Sequence, residues 1–226
     1  MAIKAQAQNL VYDANAEVRK VGVFNGISAG GGITLYVSQG KEQAIAVSAE
    51  DEKNVSKIKT EVKDGVLKIY IDAAMWNNWS WGNKKIKAYV TVTELNKLEL
   101  AGGSVGKVVD ELNVNTLDLE CHGGSIVNGK IKASQLSLEL TGGSIATLEG
   151  SFANATVEAS GGSIIKDYDV SIDVCKVDAS GGSVINLTVN KELTADASGG
   201  SIINYKGEGI IKSVDTSGGS VIKKKE

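Results

Sequence analysis

The chain has 226 residues and a formal net charge of −3, with no basic tract beyond residues 223–225, so it lacks the positive surface that nucleic-acid binding needs. No apolar run approaches the roughly 18 residues of a membrane-spanning helix, and no signal peptide is present in this sequence. With 27 glycines, no proline and 42% apolar residues, the composition favours an all-β protein whose tight turns are made by glycine.

The first 94 residues predict irregular β-structure. Apolar and polar residues alternate around three glycines in FNGISAGGGITLYVSQG (24–40), and EVKDGVLKIYI (61–71) predicts a hairpin that turns at Asp64-Gly65. The segment AEDEKNVSKIK (49–59) is typical of either a short surface helix or a polar loop. KKIKAYVTV (84–92) alternates again and leads into the regular part of the chain.

All three tryptophans lie within MWNNWSWGN (75–83), between two predicted strands. Trp76, Trp79 and Trp81 are candidate ligand-binding residues, because an exposed indole ring packs well against a sugar or a protein surface. The alternative is that the three rings fold back and cover the open N-terminal side of the molecule.

Seven Gly-Gly-Ser triplets follow at intervals of 18 to 21 residues. They begin at Gly102, Gly123, Gly142, Gly161, Gly181, Gly199 and Gly218. Self-similarity at this period is typical of a solenoid, in which each repeat forms one coil. Apolar residues recur two and four positions before each triplet and three after its first glycine, in alternation with polar ones, which predicts strands with one buried face. The repeat therefore predicts a β-helix of about 19–20 residues per coil, with the Gly-Gly pair as its sharp corner.

Three segments together resemble a known family. FNGISAGGGITLYVSQG (24–40), VKDGVLKIYI (62–71) and LNKLELAGGSV (95–105) occur in an order and spacing similar to the putative auto-transporter adhesin, head GIN domain family, a domain of unknown function in exported proteins of Gram-negative bacteria. The resemblance covers about residues 20–222. It implies a right-handed, single-stranded parallel β-helix without established catalytic residues, export to the periplasm, outer membrane or cell surface, and a role in adhesion.

We therefore predict a single β-helix domain over residues 1–226. Irregular N-terminal coils and a hairpin occupy residues 20–94, and the regular Gly-Gly-Ser coils occupy residues 95–222.

A column of acidic residues lies three positions before the triplets and should face outward. Its members are Glu99, Glu120, Glu139, Glu158, Asp178, Asp196 and Asp215. Neighbouring carboxylates would stand about 5 Å apart and repel one another unless lysines, hydroxyls or bound cations offset the charge. Because Ca²⁺ prefers carboxylate oxygens, the column is a candidate metal site. The alternative is a solvated acidic face that keeps the solenoid soluble.

Catalysis finds little support in the sequence. His122, the single histidine, stands beside a corner with no activated nucleophile, and the acidic residues occupy equivalent positions, so nothing keeps one of them protonated as a glycan hydrolase requires. We predict a non-catalytic exported solenoid that binds a host or cell-surface glycan or protein and requires no cofactor, with Ca²⁺ as a candidate ion at the acidic column. A polysaccharide-active enzyme similar to pectin lyases is one alternative, and a structural module that assembles with further copies of itself is another.

Two further predictions concern the core. Cys121 and Cys175 occupy inward positions about three coils apart, too far for a disulfide, and are predicted to be free thiols. Ile165, Ile185, Ile203 and Ile222 form an outward apolar band suited to association if the strand alternation continues past the triplet, and they lie in the core if the chain bends there.

Overall fold

The structure, a computed structural model, describes residues 13–71 and 85–226. Within this part, sixteen strands form one sheet around one hydrophobic core, and a short 3₁₀ helix spans Glu52–Lys57. The strands are β1 (Glu17–Arg19), β2 (Gly26–Gly30), β3 (Thr34–Gln39), β4 (Ala44–Ser48), β5 (Ile58–Lys63), β6 (Val66–Ile71), β7 (Lys87–Val92), β8 (Lys97–Ala101), β9 (Val105–Cys121), β10 (Ile126–Leu140), β11 (Ile145–Ala159), β12 (Ile164–Ala179), β13 (Val184–Ala197), β14 (Ile202–Lys206), β15 (Ile210–Thr216) and β16 (Val221–Lys224). The predicted tryptophan site at residues 76, 79 and 81 lies outside the described residues.

Strands β9 to β13 stack in parallel, each pairing with the equivalent positions of the next coil. Leu119 pairs with Leu98 in the coil below and with Leu138 in the coil above, and all three side chains are buried. Identical apolar positions thus form continuous columns along the axis, and the predicted parallel β-solenoid is confirmed, with about seven turns.

In every coil, both glycines of the Gly-Gly pair have positive φ angles and form the same sharp corner. Gly161 and Gly162 have φ angles of +67° and +79°, a region that residues with a Cβ rarely adopt. A Cβ on Gly161 would also stand 3.0 Å from the amide nitrogen of Gly142, because the corners stack directly on one another. The repeat therefore needs glycine at the first position for both its φ angle and its close packing.

The serine of every triplet except the last is a core residue, which the polarity pattern does not predict. All serines from Ser104 to Ser201 in this position are fully buried. Ser163 Oγ donates a hydrogen bond of 2.7 Å to the carbonyl oxygen of Ser160, and every other triplet serine makes the equivalent bond across its own corner. The corner therefore satisfies a buried hydroxyl and a turn carbonyl with one short-range bond.

Replacing this hydroxyl should have a measurable cost. We expect Ser163→Ala to lower the free energy of unfolding by about 1 kcal/mol, since the partly buried Ser160 carbonyl loses its hydrogen bond. Ser151→Ala, at an exposed serine of β11, should change it by less than about 0.5 kcal/mol. Urea unfolding of both variants tests this, and equal effects would contradict the structural role of the triplet serine.

The N-terminal part contributes a further coil, whose corner lacks the Gly-Gly-Ser triplet. Strands β2 and β3 pair in parallel with β8 and β9, and Gly31 and Gly32 between them have φ angles of +85° and +77°. Ile33 then takes the inward position of the triplet serine and is fully buried. The sequence AGGGI at residues 29–33 is thus one more corner, stacked beneath Gly102.

Two other N-terminal segments, residues 61–71 and 49–59, agree with the sequence. Strands β5 and β6 form the predicted antiparallel hairpin, with Asp64 and Gly65 at φ angles of +52° and +76° in the turn. Of the two alternatives left open for residues 49–59, the structure shows the helix. It is the 3₁₀ helix Glu52–Lys57, capped by Asp51, whose side chain accepts a hydrogen bond from the Lys53 amide.

The apolar column three residues after the first glycine of each triplet is not the buried one, contrary to the prediction. Residues such as Ile145 and Ile164, three after the first glycine, are only partly buried, and Ile202 is 37% exposed. The buried column is the next one: Ile165, Ile185 and Ile203 are buried and Ile222 packs against the core, so of the two alternatives the structure shows burial and not an outward band. The inward triplet serine shifts the alternation by one residue, and this shift was not visible in the polarity pattern.

Two features of the core complete the description. Cys121 and Cys175 are buried free thiols, as predicted, and burial raises the pKa of each to about 12. Burial ends at the last coil, where Ile211 and Val214 are 48% and 43% exposed although their partners Leu193 and Ala195 in the previous coil are fully buried.

Candidate functional site

The acidic column follows the predicted outward line along the coils. Glu120 pairs in register with Glu99 on one side and with Glu139 on the other, and the same alignment continues to Asp215. Neighbouring strands in a sheet lie about 4.8 Å apart, so the carboxylates form a regularly spaced series. The structure thus brings the seven predicted acidic residues onto one face.

A lysine offsets the charge at the start of this column. Lys97 Nζ lies 2.6 Å from Glu120 Oε1 and 3.5 Å from Asp118 Oδ2. The hydrogen bond with Lys97 lowers the pKa of Glu120 and raises the pKa of Lys97, whereas partial burial and then the charge of Glu120 raise the pKa of Asp118. The stabilisation from Glu120 is therefore present at neutral pH and is lost as the pH falls through its lowered pKa.

His122 lies between a carboxylate and a hydroxyl. Its Nε2 is 3.5 Å from Glu120 Oε2, and its Nδ1 is 2.8 Å from Thr141 Oγ1. The sequence indicates no nucleophile beside this histidine, and the contact with Thr141 is visible only in the structure. The order acid–histidine–hydroxyl resembles a nucleophilic triad. However, Glu120 is held more closely by Lys97, at 2.6 Å, and the histidine ring is one-third exposed. These contacts connect charges along the column and provide no enclosed site for a reaction.

The cation prediction for the column stays a prediction. Within residues 13–71 and 85–226, no three histidine, cysteine, aspartate or glutamate side chains are grouped closely enough to hold a metal ion. The carboxylates follow one another in a line, whereas Ca²⁺ requires six to eight oxygens around one point. A cation bound here would need much of its coordination from water or from a ligand.

A groove on another side of the coils was not predicted. It has a volume of about 790 Å³ and crosses four successive coils of the solenoid. Its lining comes from residues 113–115, 132–134, 151–153, 171 and 173, with Gln39, Thr93 and Glu94 at the N-terminal end. A volume in this range is typical of sites for small molecules and short oligomers.

The lining of the groove is polar and has small side chains. Ser134, Ser151 and Asn115 are exposed, and none of their side chains hydrogen-bonds to another of the described residues. Phe152, the one aromatic residue among the lining residues, is buried beneath the surface. The groove therefore presents free hydroxyl and amide groups without an aromatic platform.

Most charges at the groove are already paired. Lys132 Nζ lies 3.0 Å from Glu111 Oε1, and Asp173 Oδ2 lies 2.8 Å from Lys191 Nζ. Hydrogen bonds from Lys132 and Lys130 lower the pKa of Glu111 to about 2, so this carboxylate stays ionised in neutral and mildly acidic solution. These pairs leave the lining close to neutral.

A repeated column of polar residues could have revealed the groove from the sequence. Asn113, Lys132, Ser151 and Ser171 recur at intervals of 19 to 20 residues and pair in register. These four positions lie away from the apolar and acidic columns that flank the triplet.

Comparison with known proteins agrees with this architecture. Residues 23–209 match the family model described as "Putative auto-transporter adhesin, head GIN domain". The chain belongs to this family. The match contains the glycine corner at residues 31–32, the hairpin and all but the last of the Gly-Gly-Ser corners, so the family resemblance inferred from the sequence is confirmed. None of the curated proteins matches the chain.

Several solved structures share the fold. A putative adhesin from Bacteroides fragilis NCTC 9343 is 25% identical, with a TM-score of 0.85 over 93% of this chain and 96% of its own. A putative lipid binding protein from Parabacteroides distasonis ATCC 8503 is 23% identical, with a TM-score of 0.71 over 95% and 98% of the two chains. A putative adhesin from Parabacteroides merdae ATCC 43184 is 16% identical, with a TM-score of 0.72 over 93% and 95%.

The names of these relatives describe binding rather than catalysis. The family and the three structures are named for adhesion or for lipid binding, and none of these names is that of an enzyme. Among the described residues of the present head GIN domain, no helix combines the length and the apolar character needed to cross a bilayer.

Proposed function

We propose that this head GIN domain is a non-catalytic adhesion protein that is exported to the cell surface or the periplasm and binds through the outside of its solenoid. The observation that carries the proposal is the regular outer surface, on which the same polar positions recur in register from coil to coil. Such a surface offers many equivalent weak contacts along one rigid axis, and linked contacts of this kind give high overall affinity.

The arrangement of titratable groups supports binding over catalysis. The carboxylates from Glu139 to Asp215 occupy equivalent outward positions, and His122 is not among the residues that line the groove. The names of the family and of two similar structures support adhesion in particular. The column of acidic residues, from Glu99 to Asp215, is proposed to bind cations at most as a secondary feature, with water completing their coordination.

A bead assay tests the proposal. Beads coated with the purified protein should be retained on cultured epithelial cells and on mucin-coated glass under washing, and beads coated with serum albumin should be removed. The same protein incubated with mucin or plant-cell polysaccharides should release no reducing sugar. Equal retention of the two kinds of bead would contradict adhesion, and release of reducing sugar would favour the polysaccharide-active alternative.

A further inference from the structure

We propose that the groove across residues 113–173 binds a neutral glycan chain of about four sugar units, aligned with the solenoid axis. The inference rests on the proposed adhesive function and identifies a site and a ligand class for it. Four properties of the groove support it: the polar groups of its lining, the charge of its lining, the absence of an open strand edge and the repeat distance of the coils.

The chemistry of the lining fits a polyhydroxylated ligand. Asn115, Ser134 and Ser151 offer amide and hydroxyl groups that have no partner among the described residues, and Thr93 adds another hydroxyl at the end of the groove. Hydroxyls both donate and accept hydrogen bonds, as sugar hydroxyls do. Without exposed rings or apolar pockets, the groove gives little to a hydrophobic ligand.

Charge argues for a neutral chain. Lys132 and Asp173 are paired with Glu111 and Lys191 at 3.0 and 2.8 Å, which leaves Glu94 as the lining charge without an ion pair among the described residues. An acidic polysaccharide would meet this carboxylate and gain no free lysine in return. A neutral glycan is not repelled by the Glu94 carboxylate and does not need a free lysine.

The floor of the groove does not suit a peptide in extended conformation. Peptides that bind to sheets add a strand to an open edge, where backbone groups lack partners. Here β10 and β11 are each paired on both sides by the neighbouring coils along most of their length, and within the groove the pairing skips only the column of Asn115, Ser134 and Ala153, so the groove contains no open strand edge. The groove therefore offers hydroxyl and amide side chains in place of an open strand edge.

The repeat distance sets the length of the ligand. Asn113, Lys132, Ser151 and Ser171 pair in register on successive coils, so the pattern of lining groups repeats about every 4.8 Å. This spacing is close to the length of one hexose unit in an extended chain. Four coils therefore correspond to about four sugars, each facing a similar set of polar groups.

Oligosaccharides of graded length test the inference directly. Fluorescently labelled cello-, laminari- and manno-oligosaccharides of two to six units, with oligogalacturonates as the acidic counterpart, are titrated with the full chain by fluorescence polarisation. At least one neutral series should show affinity that rises up to about four units and is constant beyond. The oligogalacturonates should bind at least tenfold more weakly.

Matched variants locate the site. The double variant Ser134→Arg/Ser151→Arg fills the groove with two long side chains and should weaken binding at least tenfold. Thr156→Arg places one arginine at an exposed position of β11 that is not among the groove-lining residues, and should leave affinity unchanged. Circular dichroism and urea unfolding confirm that both variants are folded.

The outcomes separate this inference from the adhesive function. Binding that survives in the groove variant, or that is lost only in a folded Trp76→Ala/Trp79→Ala/Trp81→Ala variant, would overturn the groove as the site. Absence of binding to every oligosaccharide, with coated beads still retained on cells, would overturn the groove inference and leave adhesion standing. Absence of both would overturn both proposals.

Discussion

Replacing Gly150 by alanine should destabilise the protein by about 4 kcal/mol, the largest effect that we expect from any single methyl group in the solenoid. Gly150 has a φ angle of +125° and pairs in register with Ile131 in the coil below and Val170 in the coil above. An added Cβ would overlap the carbonyl oxygen of Ile131. Because that oxygen belongs to the backbone, two coils would have to separate to accept the methyl group.

Gly162 provides the matched control. Its φ angle of +79° is also unfavourable for alanine, but no atom lies within 4 Å of the position that a Cβ would take. Gly162→Ala should therefore cost only about 1–2 kcal/mol, from the backbone conformation alone. Urea unfolding of both variants measures the difference, and equal costs would show that the coils are not packed as closely at Gly150 as the structure indicates.

The second large effect is expected in the core. Leu138→Ala should lower the free energy of unfolding by about 3 kcal/mol, because the side chain is buried between Leu119 and Val157 of the adjacent coils and the cavity cannot collapse freely. The adjacent Ser137 points outward and is exposed, so Ser137→Ala should change stability by less than about 0.5 kcal/mol.

This pair of variants tests the face assignment in β10. If Ser137→Ala cost as much as Leu138→Ala, the alternation of inward and outward residues would be reversed, since a shift of one residue exchanges the two faces of a strand. The midpoint of urea unfolding should fall clearly for the leucine variant only.

The repeat period made most of the fold predictable. Glycine triplets at even intervals, with Leu98 and Leu119 at equal distances before them, are enough to infer stacked coils, because each coil needs the same corner and the same inward residues. Buried Leu100 and Cys121 follow from the same rule. The acidic residues alternate with these inward positions along each strand, so they point outward.

Other features depend on backbone geometry that the polarity pattern does not record. Ser144 and Ser163 are polar residues, yet they point inward because a bond to their own turn satisfies each hydroxyl. Their burial shifts the alternation that follows, so Ile165 lies in the core, as in the second of the two alternatives that the sequence left open. The corner at Gly31 cannot be recognised from the Gly-Gly-Ser repeat, because Ile33 stands in the position of the serine.

The candidate site was predicted in part. The acidic residues could be placed on one face from their spacing alone, whereas the approach of His122 to Thr141 depends on which side chains meet across two coils. The groove depends on how the coils curve between Asn113 and Ser171, and a list of positions does not contain this curvature. Without this curvature, small polar residues in that column could line either a groove or a flat exposed surface.

Hydroxyl-radical footprinting of the protein on the surface to which it adheres tests the central claim most directly. We expect side-chain oxidation in residues 113–115, 132–134 and 151–153 to fall when protein-coated beads are bound to epithelial cells, and the buried core positions to stay unreactive in both states. Adhesion without protection anywhere on the outer face of the coils would contradict an account in which the repeated polar surface of the solenoid makes the contact.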